Sequence, residues 1–223
     1  MKIRLLFLSL FFYFGGIAQN KSDTISNYLE DQLYFAVLNN NLINTPTGFE
    51  SDGFSNTISF GFIKDIPLNE RRNIGLGIGI GYASNTFKNN FKIIKSNGLY
   101  EYSILDINYN ANKISTKAIE MPIEFRWRTS TADKFKYWRI YTGVKVSYHY
   151  KKEYSYADSQ VNYILSNPEM LNKWQYGITL SAGYSAFNLY TYYGLNPLFK
   201  DINFNNESIS INTLKIGLIF YIL

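Results

Sequence analysis

Two groups of residues in this 223-residue chain have the types and spacing to carry chemistry. The first is Ser147 with His149, the one histidine in the sequence. Serine-type hydrolysis needs a nucleophile, a base within hydrogen-bond reach and an acid that orients the base. In an extended segment these two share a face but stand about 7 Å apart at the backbone, and no acid is obviously placed beside them. The second group is Glu120, Glu124, Arg126 and Arg128, with Arg139 and Lys145. The first four are even-numbered and the last two odd, so in two extended segments each set occupies a single face. Buried charges must pair or neutralise. A structural plug of ion pairs is the plain reading of this set, with ligand binding or conduction as the alternatives.

The elements that would position these residues announce themselves by period-2 alternation. Ile119, Met121, Ile123, Phe125 and Trp127 alternate with Glu120, Pro122, Glu124, Arg126 and Arg128. Trp138, Ile140, Thr142, Val144, Val146, Tyr148 and Tyr150 alternate with Arg139, Tyr141, Gly143, Lys145, Ser147 and His149. The pattern recurs at 174–183 and 214–222. In Ile74-Gly75-Leu76-Gly77-Ile78-Gly79-Ile80-Gly81 the small face is all glycine. This run is not a dinucleotide-binding loop, whose glycines follow G-x-G-x-x-G and open a helix. Further strands are expected near Asn56–Lys64, Asn188–Asn196 and Gln32–Leu42, the last with Leu33, Phe35 and Val37 outward.

Connections alternate in length. Short ones are expected at Asp65–Asn73, Thr129–Lys136 and around Ser185–Phe187. Longer Asn- and Ser-rich ones are expected at Ile43–Gly53, Lys88–Asn112, Lys152–Asn172 and Leu198–Ser210. Outer-membrane barrels have this rhythm, with short periplasmic turns and longer external loops. A soluble lipocalin-like barrel would alternate as well, and residue size separates the two. The apolar face is crowded with Trp, Tyr, Phe, Ile and Leu, whereas the other is rich in Gly, Ser and Thr with a few charges. An eight-stranded barrel is only wide enough inside for its own side chains, so the small polar face belongs inside and the large apolar face against lipid. Trp127 and Trp138 would belong to the periplasmic aromatic girdle, and Tyr148, Tyr150, Trp174 and Tyr176 to the outer one. The expected fold is all-β: a closed antiparallel up-and-down transmembrane β-barrel of about eight strands.

Composition agrees. Aromatic residues make up 18% and charged residues 17%, while mean hydropathy is near zero, as expected when each strand alternates between lipid and lumen. Lys2 and Arg4 precede an apolar run, Leu5–Ile17, that is too short for the roughly 20 residues of a spanning helix and ends in Gly16-Ile17-Ala18. This is a signal peptide, residues 1–18, ahead of one barrel domain, 19–223. The remaining positive excess, about +3, forms no run and gives no argument for nucleic acid. With no cysteine there are no disulfides, thiolate metal sites or lipidated N-terminal cysteine. No catalytic, cofactor-binding or metal-binding set is expected.

Several segments together resemble the PorT-like outer-membrane barrel family: Gly61-Phe62-Ile63-Lys64-Asp65-Ile66-Pro67, Glu124-Phe125-Arg126-Trp127-Arg128-Thr129-Ser130, Tyr193-Gly194-Leu195-Asn196-Pro197-Leu198-Phe199-Lys200 and Lys215-Ile216-Gly217-Leu218-Ile219-Phe220-Tyr221-Ile222-Leu223. The last also resembles the C-terminal assembly signal of outer-membrane barrels, although it ends on Leu223 rather than Phe. The family's namesake is an accessory component of type IX protein secretion. The resemblance therefore implies a non-enzymatic accessory or scaffold of envelope secretion. Its partners would be outer-membrane lipid, the barrel assembly machinery during insertion and secretion-machinery proteins. A stand-alone structural or ligand-binding barrel and a lipid-modifying hydrolase are the alternatives. If Arg128 faces Tyr137 across the turn at Ala132, facing residues sum to about 265. Glu120 then opposes Lys145 and Arg126 opposes Arg139, with Glu124 a diagonal step from Arg139. N-terminal sequencing of the protein from cell envelopes should read from near Gln19; a start at Met1 would refute the signal peptide.

Overall fold

Wherever large apolar residues alternate with small or polar ones, the chain is extended. The computed structural model describes residues 31–129, 137–200, 202–204 and 207–222. The expected signal segment, the turn around Ala132 and Leu223 lie outside the described residues. In chain order the strands are β1 (Gln32–Ile43), β2 (Asn56–Pro67), β3 (Ile74–Lys88), β4 (Phe91–Ser96), β5 (Leu99–Ile104), β6 (Ala111–Arg128), β7 (Trp138–Ala157), β8 (Asn162–Ser166), β9 (Trp174–Tyr184), β10 (Phe187–Gly194), β11 (Ile202–Phe204), β12 (Glu207–Ile209) and β13 (Asn212–Ile222). No helix occurs among the described residues.

Eight of these strands form the wall. β1, β2, β3, β6, β7, β9, β10 and β13 each pair antiparallel with the next. β13 returns to β1, from Leu33 opposite Ile222 to Ile43 opposite Asn212. The result is a closed antiparallel up-and-down barrel of eight strands. Closure leaves no unpaired edge in the wall, a necessity in lipid, where no water is at hand to take a bare N–H or C=O. Leu33, Phe35 and Val37 face outward, and Tyr34, Ala36 and Leu38 face inward.

The outer surface is banded. At the short-turn end Trp138 packs on Tyr184 (5.5 Å between ring centroids) and Phe187 on Phe220 (5.1 Å). At the other end Tyr148 packs on Trp174 (4.9 Å). Between these girdles the exposed residues are mainly Ile, Leu, Val and Phe. Trp138 and Tyr148 are ten positions apart in β7. At about 3.3 Å per residue and a tilt near 40°, the girdles stand about 25 Å apart, the height of an outer-membrane apolar band.

The segments expected to be long loops are instead largely structured. β3, β6 and β7 run on past the girdle, β4 and β5 form a hairpin, β8 extends the sheet beside β7, and β11 pairs with β12. Together they bury an apolar cluster that includes Phe87, Phe91, Ile114, Tyr154, Leu171 and Phe199. One irregularity makes this possible. Lys117 faces Lys151 but Ala118 faces His149, which leaves Tyr150 as the extra residue of a bulge. Below the bulge the odd residues of β7 point inward. Above it the even ones do, so Lys152, Tyr154 and Tyr156 turn inside. The Tyr154 hydroxyl then accepts a bond from the Ile93 amide (3.0 Å), and Tyr163 donates to the Ile93 carbonyl (2.6 Å). A single parity carried along β7 misses this switch, so the cap was not foreseen. At its tip the Asp158 carboxylate accepts the Gln160 amide, the Tyr156 hydroxyl and the Val161 amide, which hold it below the ordinary carboxylate range.

The alternation of connection lengths predicts which end faces out. Cysteines placed singly at Ser96 and Gln160, both exposed in the cap, should react with an impermeant maleimide on intact cells, and one at Glu70 in the β2–β3 turn should not. The chain has no native cysteine to confuse the readout. The reverse labelling pattern would invert the topology.

Candidate functional site in the barrel lumen

Inward parity collects the charged residues of several strands in one narrow space. Glu120, Glu124, Arg126 and Arg128 of β6, with Arg139 and Lys145 of β7, are all buried. The structure adds Asp65 of β2 and Lys215 of β13, also buried.

Near the short-turn end Asp65 joins two arginines. Its Oδ1 lies 3.2 Å from Arg126 Nη1 and its Oδ2 lies 2.7 Å from Arg128 Nη2. Glu124 Oε2 completes the group, 3.2 Å from Arg126 Nε. Asp65 and the arginines stand on strands that are not neighbours, because β3 runs between them. The glycine face of β3 lets them meet. A Cβ on Gly77 would overlap Arg126 Nε, and one on Gly75 would sit 3.2 Å from Asp65 Oδ1. Further along, Gly81 makes the same room for the Tyr34 ring. Aromatic faces take the remaining positive charge. Arg126 lies over Tyr141 (4.7 Å) and Arg139 over Tyr137 (4.6 Å), where a desolvated guanidinium gains from the ring quadrupole.

A second layer crosses the middle of the barrel. Lys145 Nζ lies 3.2 Å from Glu120 Oε2, with the Tyr190 ring 5.1 Å from the same nitrogen. Lys215 Nζ donates to Asn85 Oδ1 (2.6 Å), and Asn85 Nδ2 donates to Thr116 Oγ1 (2.9 Å). Thr57 Oγ1 lies 2.7 Å from both Asn85 Oδ1 and Asn40 Oδ1. The void lined by Tyr34, Glu124, Lys145 and Tyr190 is about 10 Å³, room for no more than one water.

The expected register is corrected by two residues. Arg128 faces Arg139, Arg126 faces Tyr141 and Glu120 faces Ser147, so facing numbers sum to 267. The turn sets this: Thr129 N donates to the Trp138 carbonyl (2.9 Å) and Trp138 N to Thr129 Oγ1 (3.0 Å). That closure ends the ladder at Thr129 and Trp138. Glu120 still meets Lys145, but diagonally, since Lys145 faces Pro122. Glu124 does not bridge Arg126 and Arg139 as expected. It pairs along its own strand with Arg126, and Asp65 supplies the carboxylate between the arginines of β6. Asp65 was expected in a turn, yet Thr57, Ser59, Gly61 and Ile63 carry the inward parity straight to it.

Ser147 and His149 both point into the lumen near the capped end. The carboxylate facing Ser147 is Glu120, which is engaged by Lys145. His149 faces Ala118, and its Nδ1 has no hydrogen-bond partner among the described residues. Among the described residues no acid is hydrogen-bonded to His149, and Ser147 and His149 form no aligned hydrolytic set.

Residues 17–200 match the family model described as an outer membrane protein beta-barrel domain. The chain belongs to that family. No curated protein and no solved structure matches it. Family and closed barrel together place the protein in the outer membrane, and the charge layers of this outer-membrane barrel therefore lie at membrane depth.

At that depth an unpaired charge is costly. Asp65→Asn and Glu120→Gln should each destabilise the barrel, by about 3–5 kcal/mol for a partner left buried alone. Glu120→Gln combined with Lys145→Met should recover much of the loss. Denaturant unfolding in detergent, followed by heat-modifiable gel migration, measures both. Additive effects of the two changes in that double-mutant cycle would show that the pair is not coupled.

Proposed function

We propose that this outer-membrane barrel is a non-enzymatic accessory or scaffold of envelope protein secretion, PorT-like in kind. The supporting observation is that the lumen is filled with paired and stacked side chains and its wide-loop end is covered by an apolar cap. Such a barrel offers no path for solutes, and aqueous channels belong to much wider barrels. What it offers is a rigid anchor that presents a built external surface. The strand and turn segments that resemble the PorT-like family favour secretion as the setting.

In this reading Glu120, Glu124, Arg126, Arg128, Arg139 and Lys145, together with Asp65, form a structural plug that holds the wall in register. The protein enters the envelope by a signal peptide spanning residues 1–18 and inserts through the barrel assembly machinery. The absence of catalysis is part of the proposal, supported by His149 having no carboxylate hydrogen-bonded to it among the described residues. Neither a cofactor nor nucleic acid has a role.

Affinity capture of the tagged full-length protein from native membranes, after cross-linking at an exposed cap position, tests this reading. Large envelope proteins should co-purify, and deletion of the gene should cause exported proteins to accumulate. Ser147→Ala and His149→Ala should leave both results unchanged. Capture of lipid and assembly factors alone, with normal export, would point to a stand-alone barrel.

A further inference from the structure

Above the outer girdle the wall parts between β7 and β9. β9 pairs with β7 only as far as Trp174 opposite Tyr148, and β8 resumes at Ser166 opposite Glu153. The chain between them, 167–173, leaves the ladder as an arch whose Met170 and Leu171 are buried in the apolar cluster of the cap. It is pinned at both ends, by Asn167 N to the Lys152 carbonyl (2.7 Å) and by His149 N to the Lys173 carbonyl (2.7 Å). A cavity of about 460 Å³ lies between this arch and β7.

Its lining carries a concentrated positive charge. Lys152, Lys173 and Lys200 all border it, with Glu169 as the one carboxylate among the described lining residues and His149 at its side. Lys152 is buried, and its Nζ donates to two backbone carbonyls, of Pro168 (3.0 Å) and Leu171 (2.6 Å). Those bonds fix the ammonium in place without neutralising it. Lys200 is brought in by the hydrogen bond its backbone N–H donates to the Met170 carbonyl (2.7 Å). Among the described residues the cavity thus gathers three ammonium groups around one carboxylate. The Tyr148–Trp174 pair that marks the membrane boundary stands beside it.

We propose that this cavity binds a phosphate group on the headgroup of an outer-leaflet lipid. A phosphate monoester carries close to two negative charges at neutral pH, which matches the excess of two lysines over Glu169. The interfacial aromatic girdle sets the depth at which lipid headgroups lie. The bulge at Tyr150 builds the site, because it turns Lys152 inward beneath the arch. The proposal rests on the outer-membrane placement and on the cap facing outward, and stands apart from any role in secretion.

Native mass spectrometry of the full-length protein, folded in neutral detergent and titrated with lipid, tests it. The probes are a bis-phosphorylated glycolipid, the same glycolipid with its phosphates removed, and inorganic phosphate. Lys173 and Lys200 are exposed, so K173Q/K200Q should fold, as checked by heat-modifiable migration. K95Q/K117Q removes two other exposed lysines of the same end and serves as the control. The phosphorylated lipid should bind at least about tenfold more tightly than its dephosphorylated form. K173Q/K200Q should lose about tenfold or more, the scale expected for removing two unit charges at contact distance in a mostly aqueous setting. The control should bind like the native protein. Equal binding of the two lipids, or equal losses in the two variants, would overturn the proposal. Saturation by inorganic phosphate as tight as by the phosphorylated lipid would overturn the lipid as source.

Discussion

Asp65 accepts from Arg126 and Arg128 across a strand that has given up its side chains. This contact concentrates the constraint on the whole interior. An eight-stranded wall encloses a space about as wide as the side chains that line it, so each large group admitted must be matched by a small one opposite. The glycines of β3 admit Arg126, Asp65 and the Tyr34 ring. Those groups in turn demand carboxylates and aromatic faces, because at this depth water cannot supply the difference. The charge layers, the tyrosines stacked on them and the glycine run are three expressions of one packing problem.

Much of this was legible in the sequence because two-residue periodicity maps directly onto the two faces of a wall. Trp138 through Tyr148 alternate without a fault, and the identity of the larger face placed lipid outside. The charged residues of β6 and β7 were visible as inward for the same reason. The register between those strands was harder to read. Parity fixes which face a residue takes, but a shift of two residues preserves parity, and only the Thr129–Trp138 closure chooses among the possibilities. Asp65 was hidden by a strand that ran slightly further than its apolar residues suggested. Its partners lie 61 and 63 positions away, which no local pattern reveals.

The cap was the least legible part. Its sequences are rich in Asn, Ser and Lys, which read as loop, and its apolar residues are scattered over separate segments from β3 to the start of β13 that meet only once the barrel has closed. Phe91, Tyr154 and Phe199 form a water-excluding cluster outside the membrane, packed as in a small soluble domain. The molecule thus joins two kinds of stability end to end. Hydrogen bonding and ion pairing sustain the part in lipid, and hydrophobic burial sustains the part in water.

The bulge at Tyr150 governs how this chain tolerates insertions and deletions. Removing Tyr150 itself would only close the ladder, because His149 inward, Lys151 outward and Lys152 inward then alternate without a break, whereas removing one residue elsewhere in β7 would send part of the strand's side chains to the wrong face. Removing or adding two residues would keep every side chain on its own face and alter only the height of the wall. Away from Tyr150, variation in length within this strand is therefore confined to even steps, whereas the tip of the β4–β5 hairpin, which carries no such phase, is free to change by any number.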